Sequence, residues 1–371
     1  MKTYPLESLS VAEAKEMQFR LVDSATRHLR GRESLSNGDL GVVPAYGRPE
    51  ATKKVECILA EFFGAEAAAL VRGAGSGALR SAVWALAKAG DSVVVHDAPV
   101  YSTTRRLFDS MGLKTVICDF NRSEQVAALS QNDKGARISF VLIQHARQKM
   151  DDRYALSEVV SLLKKSLPQT PILVDDNYAA LKVPRIGVQW GTDLSAFSAF
   201  KLLGPEGIGC IVGRRDLIES IHEANYSGGG QVQGHEAMEA LRGMIYAPVA
   251  LALQAEVIEE LSTRLAAGEV AGVKAAFIAN AQSKVLLIEL EYPVARELLE
   301  RCERLGAAPW PVGAESKYEF APMFYRVSGT FLAADPGLGE RMIRVNPMRA
   351  GADTVLRIFK TALQDLEKRI G

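Results

Sequence analysis

The sequence of 371 residues predicts an α/β fold, with a large, mostly parallel, doubly wound sheet domain and a smaller C-terminal α+β domain. In the first two-thirds of the chain, short apolar runs alternate with helical patterns, as in parallel sheets that are buried on both faces. From about Gly234 the pattern changes to a long helical segment, separate strands and a closing helix. We therefore expect an N-terminal arm at 1–45, a large domain at 46–245 and a small domain at 246–371.

The individual elements follow from the same periodicities. The arm has a helical pattern from Val11 to Arg30 and then a glycine-rich loop. The predicted strands of the large domain are Ala67–Val71, Ser92–His96, Lys114–Cys118, Ser139–Gln144, Pro171–Asp175, Leu194–Phe197 and Gly209–Gly213. Its predicted helices include Ala78–Ala89, Thr103–Met111 and Ala155–Ser166. The small domain is predicted to contain a helical segment Glu236–Leu265 that is interrupted near Pro248, strands Val285–Leu290, Phe324–Ser328 and Met342–Asn346, and a helix Asp353–Arg369.

Composition excludes several classes of function. The 44 basic and 44 acidic residues cancel, which argues against a nucleic-acid partner. No apolar run approaches the length of a membrane span, and the start has no apolar signal segment, so we expect a cytoplasmic protein without a membrane partner. The four cysteines are scattered and form no metal-ligand spacing, so we expect reduced thiols and no metal site.

A glycine-rich segment between a predicted strand and a helix is the first candidate binding motif. Gly73-Ala74-Gly75-Ser76-Gly77 would present backbone N–H groups to a phosphate at a helix N-terminus, and the Ser76 hydroxyl could donate as well. The same residues also satisfy a dinucleotide-binding fingerprint, with Asp97 after the next strand as the ribose-binding acid. A third interpretation is a tight turn without a ligand.

A carboxylate and a lysine later in the chain favour pyridoxal 5'-phosphate (PLP) as the phosphate ligand. Asp175 ends a predicted buried strand, where it could keep the cofactor's ring nitrogen protonated. Lys201 lies in an otherwise apolar stretch, where burying a lysine that has no function would cost free energy. Such a lysine can form a Schiff base with the cofactor aldehyde and then move protons at the substrate Cα. A dinucleotide-binding site would have no role for Asp175 or Lys201.

These motifs resemble fold-type-I PLP-dependent enzymes, above all the cysteine/methionine-metabolism branch, from about Tyr46 to the C-terminus. Ser198-Ala-Phe-Lys201 is similar to the Ser-x-x-Lys of that branch, although Phe200 replaces its usual Thr or Ser. Asp175-Asp-Asn-Tyr178 resembles its Asp-Asn-Thr-Phe. The stretch that follows Lys201 looks more like class V aminotransferases, and the whole chain resembles a bacterial group called YhfS.

The resemblance implies roles for further residues. It implies a phosphate site at Gly75, Ser76, Gly77 and Ser198, a ring-stacking Tyr101, and both Tyr178 and Gln148 near the ring oxygen. It also implies that Tyr46 and Arg48 reach a neighbouring subunit's phosphate in a homodimer or tetramer. For the substrate it implies Arg344 at the carboxylate, with Ser316 and His145 nearby.

The sequence therefore predicts a PLP-dependent enzyme that acts on an amino acid or a related amine through Lys201, Asp175 and Tyr101. The favoured reaction is elimination or replacement, as in Cys/Met-type lyases and transferases. The alternatives are a PLP-dependent aminotransferase and, more distantly, an NAD-dependent oxidoreductase that uses the Gly73–Gly77 loop. Two further alternatives are a PLP-binding protein without catalysis and a scaffold without a cofactor.

Overall fold

The structure is a computed structural model that describes residues 2–131, 138–281, 283–313, 315–327, 329, 332 and 336–370. Two compact units make up the chain. The larger unit contains Lys15–Ala146 and Arg153–Pro248, and the smaller unit contains Met1–Ala14, Arg147–Asp152 and Val249–Gly371. The domain limits expected from the sequence stay predictions.

The larger unit is built on seven strands with helices between them. Its strands are β1 (Ala67–Arg72), β2 (Ser92–His96), β3 (Lys114–Cys118), β4 (Ile138–Gln144), β5 (Ile172–Asp175), β6 (Leu194–Ser198) and β7 (Ile208–Gly213). Its helices are α1 (Val11–His28), α2 (Gly31–Ser34), α3 (Glu50–Phe63), α4 (Ala74–Leu86), α5 (Ser102–Met111), α6 (Ser123–Ala128), α7 (Leu156–Ser166) and α8 (Arg215–Ala224). Helix α9 (Gly234–Ala266) follows them.

The strand order of this sheet is β1-β7-β6-β5-β4-β2-β3. The five strands from β3 to β6 are parallel, and β7 is antiparallel to both β6 and β1. Side chains of β4 alternate between two apolar clusters, with Phe140 and Leu142 on one face and Val141 and Ile143 on the other. Both faces are therefore covered, which confirms the predicted doubly wound, mostly parallel sheet.

The smaller unit contains an antiparallel sheet in the order β10-β11-β9-β8. Its strands are β8 (Val273–Ala281), β9 (Ser283–Leu290), β10 (Met323–Arg326) and β11 (Met342–Asn346), and its other helices are α10 (Ala295–Arg304), α11 (Leu338–Arg341) and α12 (Ala352–Ile370). One face packs Leu286 and Ile288 of β9 with Leu298 of α10 and Phe359 of α12. This arrangement confirms the smaller α+β part of the predicted fold.

Two sequence expectations about these elements were wrong. Helix α9 runs without interruption through Pro248, although an interior proline normally costs a helix about 3 kcal/mol. Strand β8 was not predicted, because the alanines in its sequence VKAAFIANA weaken the strand pattern. The last residue of the predicted strand Phe324–Ser328 lies outside the described residues.

One helix, α9, is long and apolar enough to cross a membrane by length and composition alone. Half of its most apolar window is buried inside the protein, and core helices of soluble proteins pass the same test. The sequence analysis had identified no such segment.

Candidate active site

Lys201 lies just beyond the carboxyl end of β6, where the chain makes a short 3-10 turn at Ala199–Leu202. The turn ends at Leu203 in the left-handed conformation, with a φ of 61°. The half-buried side chain turns toward Tyr178: Nζ donates a 2.7 Å hydrogen bond to the phenol oxygen and lies 4.1 Å from the ring centroid. The strand end and the tyrosine together fix the position of the amine.

Tyr178 itself sits in an uncommon backbone conformation. Its φ is +67°, in the left-handed region that a residue with a large side chain rarely adopts. It comes three residues after Asp175, the last residue of β5. The turn after β5 therefore brings the phenol to Lys201, and the position of Tyr178 beside the ring oxygen stays a prediction.

The two adjacent carboxylates Asp175 and Asp176 have different partners. Asp176 is fully buried, and each of its oxygens is used: Oδ1 lies 2.6 Å from His145 Nδ1, and Oδ2 accepts the N–H of Gly187 at 3.1 Å. Asp175 accepts two hydrogen bonds at Oδ1, from the backbone N–H and the side-chain amide of Asn177. Within the described part of the chain, no hydrogen bond reaches Asp175 Oδ2. Only Asp175 therefore keeps an oxygen for a ligand.

The electrostatic environment of Asp175 makes its ionised form costlier than that of an exposed aspartate in the protein without a ligand. Burial raises the pKa of Asp175 to about 6, and the negative charge of Asp176 adds to this rise. The hydrogen bonds from Asn177 and the positive charge of Lys201 offset part of it. A cationic ring N–H beside Oδ2 would therefore offset much of the free-energy cost of ionising the buried Asp175 carboxyl.

The glycine-rich segment begins helix α4 rather than preceding it as a loop. Gly73, with a φ of +98°, is the residue before the helix, and the N–H groups of Gly73 and Ala74 donate to Gly207 O at 2.7 and 3.0 Å. Among the described residues, no acceptor is recorded for the backbone N–H groups of Gly75 and Ser76. Free N–H groups at a helix N-terminus suit a phosphate.

Close packing explains why Gly77 in this helix start has no side chain. A Cβ on Gly77 would lie 2.0 Å from the carbonyl oxygen of Arg72, so only glycine fits. The Ser76 hydroxyl is 2.9 Å from the Thr103 hydroxyl of α5. Ser198, the other predicted phosphate ligand, is buried at the end of β6.

Tyr101 and His145 lie at the carboxyl side of the same sheet. Tyr101 immediately precedes α5 and is 41% exposed, which leaves a large part of its surface open to a ring that would stack on it. His145 follows β4, is buried, and donates its backbone N–H to Asp175 O at 3.0 Å. Its ring pairs with Asp176, a partner that the sequence analysis did not foresee.

Arg48 and Tyr46, the predicted contacts to a neighbouring subunit, have partners within their own chain. Arg48 donates to the carboxylate of Glu56 and to Tyr46 O. Glu56 also accepts the N–H of Leu70 at 2.9 Å, and burial raises its pKa to about 7 despite the charge of Arg48. The sequence analysis missed Glu56, because its position in an amphipathic helix gives no sign of burial. The role of Arg48 and Tyr46 across a subunit boundary stays a prediction.

Two predicted site residues, Gln148 and Arg344, belong to the smaller unit and are described within it. The backbone N–H of Gln148 donates to Asp152 at 3.1 Å. Arg344 of β11 donates from Nε to Arg326 O at 2.8 Å, and its guanidinium lies 4.0 Å from the ring centroid of Tyr325. These contacts hold the guanidinium over an aromatic ring, an arrangement that restricts its position.

Ser316, the third predicted site residue in the smaller unit, is fully buried beside a carboxylate. Its N–H and its hydroxyl both donate to Glu319. Burial would raise the pKa of Glu319, but hydrogen bonds from Ser316, Gly313 and Val312 outweigh it and lower the pKa below its usual value.

Comparisons with known proteins agree with this site. Residues 22–267 match the model of the Cys/Met metabolism PLP-dependent enzyme family, and residues 259–359 match the model of the YhfS-like C-terminal domain. The chain is 49% identical to the uncharacterized protein YhfS of Escherichia coli K12, over 99% of this chain and 100% of that protein.

Solved structures show the same fold. The crystal structure of the pyridoxal-5'-phosphate dependent protein YhfS from Escherichia coli has a TM-score of 0.96 and 48% identity, over 98% of this chain and 100% of the other. The cystathione gamma lyase CalE6 of Micromonospora echinospora has a TM-score of 0.73 and 19% identity, over 94% and 99% of the two chains. The second likeness concerns the fold alone.

The fold, the lysine and the carboxylate define a fold-type-I PLP-dependent enzyme. The chain belongs to the Cys/Met metabolism PLP-dependent enzyme family, within its YhfS-like group, and its cofactor is pyridoxal 5'-phosphate. The residues present fit that cofactor, since they offer free N–H groups for a phosphate, one uncommitted carboxylate oxygen and one positioned amine.

Proposed function

We propose that this protein is a Cys/Met-type lyase or transferase that eliminates or replaces a group on the side chain of an amino acid or a related amine. The family supports the reaction class, and the observation that carries the proposal is the position of Lys201. Its amine is held by Tyr178, which lies three residues after Asp175 at the end of the neighbouring strand. A proton-accepting amine and a buried acid at the carboxyl ends of adjacent strands suit chemistry at a substrate Cα.

Each residue has a proposed task in that site. Bound PLP supplies an electron sink for negative charge at the substrate Cα. Lys201 attaches the cofactor and moves the proton at that carbon, and Asp175 holds the proton on the ring nitrogen. Tyr178, in hydrogen-bond contact with the amine, keeps Nζ directed into the site and faces the ring oxygen.

The other assignments follow the family resemblance. The proposed phosphate ligands are Gly75, Ser76, Gly77 and Ser198, with Tyr46 and Arg48 from a neighbouring subunit. The proposed ring contacts are Tyr101 and Gln148. The proposed substrate contacts are Arg344, Ser316 and His145. A homodimer is part of this proposal, and sedimentation equilibrium should then give twice the mass of one chain. A cytoplasmic location is also proposed.

The reaction can be tested with a panel of amino acids on the PLP-loaded protein. We expect release of ammonia, a 2-keto acid and, from sulfur-containing substrates, sulfide or a thiol. Lys201→Arg should abolish turnover. Lys182→Arg is the matched control, because Lys182 also lies near the Tyr178 ring, at 5.1 Å from its centroid, and should retain activity.

An aminotransferase is the second candidate. Tyr178 matches the tyrosine that aminotransferases place three residues after their aspartate, and its contact with Lys201 puts it beside the proposed Schiff-base amine. The same panel separates the two reactions. Keto acid formed without ammonia, and only when an acceptor keto acid is added, would replace the lyase proposal by transamination.

A further inference from the structure

Asn177 donates two hydrogen bonds to Asp175. Its backbone N–H and its side-chain amide both donate to the same oxygen, Asp175 Oδ1, at 3.0 and 2.8 Å. A single residue thus fixes one edge of the carboxylate from two directions. The other edge, Oδ2, receives no hydrogen bond from the described residues.

The side chain of Asn177 also fills the space beside helix α4. A Cβ on Gly75 would lie 2.3 Å from Asn177 Oδ1, 2.6 Å from Nδ2 and 2.8 Å from Cγ. These distances are far below van der Waals contact, so the absence of a side chain at Gly75 is what admits Asn177. The amide therefore lies between the phosphate-binding helix start and the carboxylate.

The orientation of the amide gives Asp175 a hydrogen bond and leaves the side-chain oxygen of Asn177 without one. The oxygen Oδ1 of Asn177 is buried, and the described residues provide it with no hydrogen-bond partner. Turning the amide over would bring this oxygen against the Asp175 carboxylate and would lose the 2.8 Å hydrogen bond. A buried acceptor left unsatisfied in this way calls for an explanation.

We propose that Asn177 is the positioning residue of the active site. It holds Asp175 by Oδ1 against the start of α4, so that Oδ2 faces the ring nitrogen of PLP at a fixed distance from the phosphate site. The inference rests on the proposed function, because it assumes that Asp175 and the α4 start bind the same cofactor. The task is specific to Asp175, since Asp176 already uses both oxygens on His145 and Gly187.

The test is a double-mutant cycle on the affinity for PLP, measured by absorbance titration of the full-length protein. Asn177→Ala should weaken PLP binding about tenfold, as expected for the loss of a hydrogen bond to a charged group. Asn177→Asp, which keeps the shape and removes the donor, should weaken it at least as much. Gly75→Ala alone should also weaken binding, because the new Cβ would displace Asn177.

The decisive result is the coupling between the two positions. In the Asn177→Ala background, where the space is free, Gly75→Ala should cause little further loss. In addition, the acid-side midpoint of PLP binding should move to higher pH in Asn177→Ala and Asn177→Asp, a change that a packing role alone would not cause. The positioning role would be overturned if Gly75→Ala lowered PLP affinity equally in wild type and in Asn177→Ala. It would also be overturned if the acid-side pH midpoint of PLP binding did not move in the Asn177 variants.

The outcomes separate this inference from the proposed function. If wild-type protein binds PLP at Lys201 but Asn177→Ala binds it equally well, the positioning role fails and the proposed function stands. If wild-type protein binds no PLP at Lys201, the proposed function fails, and the positioning role fails with it.

Discussion

Asp175 and Asp176 show how identical neighbouring residues acquire different tasks. Successive side chains at the end of a strand point to opposite sides, so one carboxylate meets His145 and Gly187 while the other faces Asn177 and the site. The sequence favoured Asp175 because it ends a predicted buried strand, and the family resemblance selected the same residue. The structure gives the physical reason, which is that Asp175 alone keeps an oxygen without a protein partner.

The raised pKa of Asp175 predicts opposite effects of one substitution on stability and on binding. A carboxyl whose pKa rises from about 3.9 when unfolded to about 6 when folded makes the protein less stable as pH increases through that range. Asp175→Asn removes this cost. The cofactor-free variant should therefore be more stable than wild type at pH 8, by on the order of 2–3 kcal/mol.

Urea unfolding of the cofactor-free proteins measures this effect. The difference should shrink as the pH falls from 6 and approach zero below about pH 3, where the carboxyl is protonated in both the folded and the unfolded wild type. The same variant should bind PLP more weakly, because its neutral amide does not stabilise a ring cation. Wild type that is as stable as the variant at pH 8 would show that burial does not destabilise the ionised carboxylate.

The residues around the lysine could be predicted from sequence only in part. Lys201, Asp175 and the glycines were found because their residue types and order are specific to this chemistry. The pairing of His145 with Asp176 and the role of Asn177 were not found, since both depend on side-chain directions in three dimensions. The one local signal that could have indicated Asn177 is the tendency of an Asp side chain to accept the backbone N–H two residues later.

At the scale of elements, the glycine-rich segment was predicted as a loop and is the first turn of α4. The predicted helix Ala78–Ala89 therefore begins four residues earlier, at Ala74. Glycines weaken a helix, so propensity alone placed the start too late. Here the glycines are required because the backbone of β1 approaches the helix closely. A Cβ on Gly77 would lie 2.0 Å from the carbonyl oxygen of Arg72.

Gly77→Ala tests the role of this helix start. The added Cβ must displace the first turn of α4 from Arg72 O, so the variant should bind PLP more weakly. Binding of pyridoxal, which has no phosphate, should change much less. Gly229→Ala is the control substitution, because a Cβ there meets nothing within 4 Å. If Gly77→Ala weakens the binding of both compounds equally, the α4 start is not the phosphate site.

At the scale of the whole molecule, the sequence predicted the fold and the cofactor, and it left the choice among PLP-dependent reactions open. The seven strands of the larger sheet lie within one residue of their predicted limits, because buried parallel strands are short apolar runs between turns. The fold and cofactor are shared with YhfS of Escherichia coli across nearly the full chain. The bond that is broken depends on individual pocket side chains, and these differ among enzymes of one fold.

The central claim is that the amine of Lys201 carries the cofactor. It can be tested by reducing the PLP-loaded protein with borohydride and mapping the modified peptide by mass spectrometry. The account predicts one pyridoxyl group per chain, on Lys201, and none after Lys201→Arg. A pyridoxyl group on a different lysine, or no modified peptide at all, would contradict it.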